Sequence, residues 1–238
     1  MKFCYFFIFF SILTAITGAE ISAHGIGDHH HPQVSAPGPD WKFIRSKDDI
    51  RVYSKSTEKS KIKELRADGE VKASIGKVLA LLRNVENAIN WVPDLAQRSY
   101  LKTISDTEAI LFDVTKMPWP VANRELILHY KLEFGKNEKQ LVLSFESTDA
   151  VEKSVQDGNV RAQVFTGKIF FTPLKDNSTW LEMYLHIDPK GEIPTWLVNL
   201  LQVQMPHDLI KAIRENAPSY SGVLLPGIKK MVEKINEG

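Results

Sequence analysis

Gly191-Glu192-Ile193-Pro194-Thr195-Trp196-Leu197-Val198-Asn199, followed by Pro206 and Leu209, is the stretch that decides how this chain folds. Asp188-Pro189-Lys190 leads into it, and the pattern runs on to Tyr220. Gly191 and Pro194 punctuate its start. Proline suits a helix's first turn, where the N–H it lacks would have no intrahelical partner. At about 100° per residue, Ile193, Trp196, Leu197, Leu200, Leu201 and Val203 fall on one stripe, with Thr195, Asn199 and Gln202 opposite. Pro206 offers no N–H to the Gln202 carbonyl, so a kink is expected there. Beyond it, Leu209, Ala212 and Ile213 lie about half a turn around the axis. The expectation is one long amphipathic helix with an offset second half, laid on something broad and apolar. By pattern alone, such a helix serves equally well to complete an ordinary core.

Working outward, the chain reads as an α+β domain beginning at Trp41. Residues 50–54 and 62–71 alternate as two antiparallel strands, and Ser74 caps a helix carrying Ile75, Val78, Leu79, Leu81 and Leu82. A short second helix is expected from Val85 to Trp91, ending at Pro93. Six strands follow, over 98–104, 109–116, 124–134, 140–147, 161–172 and 179–188. Gly135-Lys136-Asn137 and Asp176-Asn177 serve as turns. Period two gives one strand an apolar face of Leu126, Leu128, Tyr130, Leu132 and Phe134, headed by Arg124. Matching faces hold Leu141, Leu143 and Phe145; Phe165, Ile169 and Phe171; and Leu181, Met183, Leu185 and Ile187. A buried guanidinium needs a partner, and Asp113 on the preceding strand is the acid expected to supply it. A surface arginine at a strand end is the alternative.

The Gly191–Asn199 motif, with Pro206 and Leu209, resembles the C-terminal lid helix of START domains, the lipid-transfer domains related to the steroidogenic acute regulatory protein. Met117-Pro118-Trp119-Pro120-Val121-Ala122-Asn123-Arg124-Glu125 is similar to that family's Trp-Pro loop leading into an Arg-Asp or Arg-Glu pair. Trp91-Val92-Pro93-Asp94-Leu95 resembles its tryptophan after the second helix. The likeness covers about 41–220 and implies a helix-grip fold, a curved antiparallel sheet closed by the lid helix over a lipid cavity. It also implies an internal arginine–carboxylate pair near the cavity floor. The residues expected to line the cavity are Trp91, Asp113, Arg124, Leu126, Leu128, Tyr130, Phe145, Phe165, Ile169, Phe171, Leu181, Met183, Trp196, Leu197, Leu200 and Leu201. Trp119 presents the gate loop. The phosphatidylcholine-binding member carries a phosphate-liganding arginine three residues before the tryptophan matching Trp91. Ala88 stands there in this chain, which points away from phosphocholine and toward a sterol, an acyl chain or another weakly charged lipid, an anionic headgroup meeting Arg124 being the alternative.

Composition bounds the rest. Lys and Arg number 30 against 29 Asp and Glu, and no basic stripe tracks a phosphate backbone, so nucleic acid is not an expected partner. Residues 1–19 read as a signal peptide, with Lys2 before an apolar run and Thr17-Gly18-Ala19 as cleavage site. Export, periplasmic or secreted, is the expectation. The single cysteine, Cys4, lies in this leader, so the exported chain rests on its core alone. Residues 20–40 carry His24, His29, His30 and His31 without periodicity and read as a solvated linker, weak metal binding being the alternative. Residues 221–238 form a tail with helical spacing, expected to pack on the domain. Catalytic signatures such as Gly-x-Ser-x-Gly, phosphate loops and His-Glu-x-x-His are absent. The expectation is a monomeric lipid binder that touches membranes transiently, with no cofactor, metal or enzymatic activity. An aromatase/cyclase-type enzyme and a ligand sensor docking on a partner are the other classes.

Overall fold

A computed structural model describes residues 37–237, except 59 and 137 and the side chains of Leu200 and Leu201. The leader expected at 1–19, the four linker histidines and Asn137 of the expected turn lie outside the described residues.

The first three strands are Lys42–Lys47 (β1), Ile50–Thr57 (β2) and Ser60–Val71 (β3). Helix α1 (Ile75–Arg83) and a single 3-10 turn, Ala88–Asn90, follow. Then come Leu95–Ser105 (β4), Glu108–Thr115 (β5), Asn123–Phe134 (β6), Leu141–Ser147 (β7), Asn159–Arg161 (β8), Gln163–Pro173 (β9) and Thr179–Asp188 (β10). Helices Thr195–Asn216 (α2) and Pro226–Glu237 (α3) close the chain. The six strands expected from alternation are all present. β1 escaped that reading because Lys-Phe-Ile-Arg-Ser-Lys does not alternate. It is held by pairing with β2 across Asp48 and Asp49, both left-handed at φ 53°. The helix expected over 85–91 is only the 3-10 turn, too short to sustain an α-helical ladder before Pro93.

Nine strands run in the order β1-β2-β3-β10-β9-β7-β6-β5-β4, all antiparallel, while β8 adds a short parallel pairing at the start of β6. The result is the helix-grip fold, a curved sheet with helices gathered on its inner face. Register fixes that face. Ala67 pairs Met183, Met183 pairs Ile169, Ile169 pairs Leu143 and Leu143 pairs Leu132, so all point inward together. One core cluster joins these residues to Ile75 and Leu81 of α1, Ile210 and Ile213 of α2, and Ile228, Val232 and Ile235 of α3. The tail therefore packs on the domain. A second, smaller cluster of Ile110, Phe112, Val114 and Ile127 lies on the outer face beneath Val151.

The start of α1 is capped as expected, Ser74 accepting from the Lys77 amide at 3.4 Å. α2 begins with Pro194 as its N-cap and runs through Pro206 to Asn216 as one helix. It rests mainly on β3 and β2.

Candidate functional site

The inner face divides in two. Clustered with Ile210 and Ile213 of the second half of α2, Phe171, Leu181 and Met183 are 0% exposed and Ile169 nearly so, while Leu128 on β6 is 2% exposed. A side chain bordering a space wide enough for a lipid would keep accessible surface. These five are packed against neighbours, which corrects their expected place on a cavity wall. Trp91 is also core, and its indole Nε1 has no acceptor among the described residues. By contrast, Leu126, Tyr130, Leu143 and Phe145 on β6 and β7, with Leu197, Val203 and Leu209 of α2, are only partly buried.

A polar group sits in this second half. Arg98 on β4 donates to Asp113 on β5 through both Nε (2.8 Å) and Nη2 (2.6 Å), a bidentate pair. The Tyr130 hydroxyl lies 3.5 Å from the same Nη2, at the outer limit of a hydrogen bond. Cross-strand register explains the meeting: Arg98 faces Asp113, which faces Leu126, two residues before Leu128 and four before Tyr130. Burial works against the Arg98 charge, but Asp113 outweighs it and raises the guanidinium pKa. Burial drives the Tyr130 hydroxyl well above its ordinary range, Arg98 offsetting only part of this. The Tyr130 ring stacks on Phe145 at 5.2 Å between centroids. Phe145 in turn lies over Gly167, whose missing Cβ leaves the room.

The pairing of Asp113 with Arg124 is therefore wrong. Sequence spacing brought β5 and β6 together but did not reveal that β4 presents Arg98 to the same acid. Arg98 stands at the head of a strand whose later residues are exposed, so it drew no notice.

Arg124, only 5% exposed, has a different task. Its Nε donates to the Pro189 carbonyl at 2.7 Å, Nη2 to the Lys190 carbonyl at 3.0 Å, and Nη1 to the Ala122 carbonyl. No carboxylate offsets the charge, and burial lowers its pKa. Lys190 and Gly191 are left-handed, at φ 52° and 76°. A Cβ on Gly191 would come within 3.3 Å of the Arg124 guanidinium. The adjacent Glu125 accepts from Arg161 (2.6 Å), the Gln156 amide (3.0 Å) and Asn159 (3.3 Å), pinning the 153–161 segment.

Trp119, in the loop before Arg124, is 92% exposed. Trp196 is 69% exposed, which corrects its place on the buried stripe. In the first turn of α2 it is Val198 that is buried, and the expected outer residues Asn199 and Gln202 turn to the sheet. The reason is a gap in the ladder. β3 and β10 pair only as far as Leu65–Leu185, leaving the Lys63 N–H and the Ile187 carbonyl without partners across the splay. Asn199 accepts from Lys63 (3.2 Å), and Gln202 donates to Ile187 (2.5 Å). Leu200 and Leu201 lie outside the described side chains.

Phe165 is a further correction. A bulge in β9 leaves it as the extra residue between Val164, opposite Ile187, and Thr166, opposite His186. It sits 38% exposed with its ring 4.8 Å from His186, away from the inner face. A surface hollow of about 490 Å³ beside the β2–β3 turn is lined by polar residues from Ser56 to Lys63, and another of about 230 Å³ is lined by residues that include Trp41, Phe170, Tyr184 and His186. Among the described residues there is no cluster of metal-ligating side chains, and no helix long and apolar enough to cross a membrane.

The START domain family model matches residues 32–211, three quarters of the sequence. The chain belongs to the START domain family. Among solved structures, a STAR-related lipid transfer protein fragment from Xanthomonas axonopodis is 28% identical with a TM-score of 0.67, covering 75% of this chain and 98% of that one. Human StAR-related lipid transfer protein 5 shares the fold at TM-score 0.70 and 15% identity, over 76% of this chain and 88% of its own. An uncharacterised Pseudomonas aeruginosa protein is 27% identical over 77% of this chain and 89% of its length. Mouse phosphatidylcholine transfer protein is 23% identical over 68% and 76%.

Proposed function

We propose that this START domain is an exported carrier that holds one lipid between the β4–β7 half of its sheet and α2, and passes it between membranes. Tyr130 carries the reading. Its hydroxyl is deeply desolvated, yet the side chain keeps accessible surface. Both hold for a residue lining an internal space. Leu126, Leu143 and Phe145 extend that lining. The relatives named for lipid transfer support the same role.

The polar group narrows the cargo. Arg98 is already neutralised bidentately by Asp113, and Ala88 is fully buried where a phosphate-binding arginine would stand. A phosphate would find no free cation there. The Tyr130 hydroxyl, weakly engaged, suits a single neutral hydroxyl or carbonyl, as on a sterol or fatty alcohol. No step of chemistry is required of Arg98, Asp113 or Tyr130, and we read the protein as a binder rather than an enzyme.

Exchange requires an opening, for which the first half of α2 and the Trp119 loop are the gate. Trp119 and Trp196 offer aromatic surface suited to a membrane interface. Lys63→Cys combined with Asn199→Cys joins residues already hydrogen-bonded across the splay, in a chain whose only other cysteine is Cys4. The oxidised form should retain a lipid found by mass spectrometry of organic extracts and fail to swap it between vesicles. Reduction should restore exchange. Empty extracts from the native protein would end the carrier reading, and equal exchange in both redox states would end the gate.

A further inference from the structure

Two segments border the proposed mouth: the 116–122 loop bearing Trp119, and the 189–194 turn on which α2 starts. Both converge on one side chain. Arg124 donates to the Ala122 carbonyl from the first segment and to the Pro189 and Lys190 carbonyls from the second. Among the described residues no carboxylate pairs with its buried charge, and burial lowers its pKa. A guanidinium left in such a place without its carbonyls would be a desolvated, unsatisfied cation. The loop leaving alone would take one of its three carbonyls, and the turn leaving alone would take two. The turn is shaped for this contact, because Lys190 and Gly191 adopt consecutive left-handed conformations that aim the carbonyls inward. Gly191 also carries no Cβ to meet the guanidinium.

We infer that Arg124 is a positioning residue that latches the Trp119 loop to the hinge of α2, so that the two halves of the mouth open as one unit. The inference rests on the gate reading above but makes a separate claim, about coupling rather than cargo. Planar geometry matters: three donors leave one rigid fork toward three carbonyls, which the single ammonium of lysine cannot reproduce. Glu125, next in the chain, holds the 153–161 segment by its own bonds and lies outside the latch.

Amide hydrogen exchange on the full chain tests this. Val121 and Met117 report on the loop, their amides bonded to Pro118 and Asn123. Ile193 and Leu197 report on the hinge, bonded to Gly191 and Pro194. At high pH, where each opening leads to exchange, the native protein should show one shared opening rate for all four. Arg124→Lys should speed both segments by at least about tenfold while β10 and the second half of α2 keep their protection. Arg124→Met, if it folds, should do the same. Separate opening rates in the native protein, or acceleration of only one segment in Arg124→Lys, would overturn the latch. Shared amide rates with vesicle exchange unchanged in Arg124→Lys would uphold the latch and count against the gate reading instead.

Discussion

Replacing Asp113 by alanine removes the only carboxylate among the described residues that meets Arg98. Two charge-assisted bonds, at 2.8 and 2.6 Å, are lost together. Bonds to charged groups contribute about 1.5–3 kcal/mol each, which sets a ceiling near 6 kcal/mol. Breaking a buried pair from one side costs about 3–5 kcal/mol, because a desolvated charge is left behind. The Arg98 side chain is 13% exposed, so water in the neighbouring space relieves part of that cost. The expected loss is therefore about 3 kcal/mol, at the low end of the range. Arg98→Met with Asp113→Leu removes both charges and should lie within about 1.5 kcal/mol of the native protein, since apolar replacement of a buried pair is often neutral. In the cycle of Arg98→Met, Asp113→Leu and the double variant, the two single losses should thus fail to add, with a coupling above about 2 kcal/mol. Urea unfolding followed by tryptophan fluorescence gives the stabilities of these three, of Asp113→Ala and of the native protein. A loss under about 0.5 kcal/mol for Asp113→Ala, or additive single effects, would show that the pair is solvated and would remove the basis for a neutral headgroup preference.

Gly167→Ala should push the Phe145 ring off its stack with Tyr130, costing about 1–3 kcal/mol; reduced near-ultraviolet circular dichroism and lipid occupancy check it, and unchanged values would mean the ring has room to move. For pH, burial raises the Glu125 pKa, but Arg161, the Gln156 amide and Asn159 outweigh it and the folded value lies below the ordinary one. Its contribution is then complete above the unfolded pKa of about 4.3 and is lost as pH falls through the folded value. Amides of 153–161 should lose protection in that window, and Glu125→Gln should abolish the pH dependence there.

Much of the architecture was legible because it rests on period. Strand alternation located the long strands, Ser74 announced α1, and the tail's spacing announced α3. What escaped was set by pairing rather than by pattern. β1 has no alternation and exists through β2. Phe165 obeys period two on paper, yet a one-residue bulge turns it outward. Asp113 was recognised as the acid needing a cation, but strand order decides which arginine arrives, and Arg98 lies one strand further along than the motif drew the eye. Helical period puts Asn199 and Gln202 opposite the apolar stripe. In the fold they satisfy the backbone groups left open where β3 and β10 part, Asn199 as acceptor and Gln202 as donor.

That exchange of an apolar for a polar contact bears on how the lid works. Among the described side chains, the second half of α2 is fixed by Ile210 and Ile213, both 0% exposed. Each contributes about 1.5–3 kcal/mol by burial. Arg214 adds bonds to the Glu70 carbonyl at 2.9 Å and to the Asp48 carbonyl. Among the described side chains of the first half, Val198 is buried, Leu197, Val203 and Met205 are partly buried, and Trp196 is 69% exposed. The Asn199 and Gln202 amides add clasps to the sheet, each net bond worth about 1 kcal/mol because water replaces it on opening. The first half thus carries amide clasps that water can satisfy, which Ile210 and Ile213 in the second half do not provide. Pro206 lies between them, where the Gln202 carbonyl has no backbone donor four residues on. On the gate reading proposed above, opening from the 189–194 turn as far as Pro206 breaks the two amide clasps and leaves the burial of Ile210 and Ile213 intact.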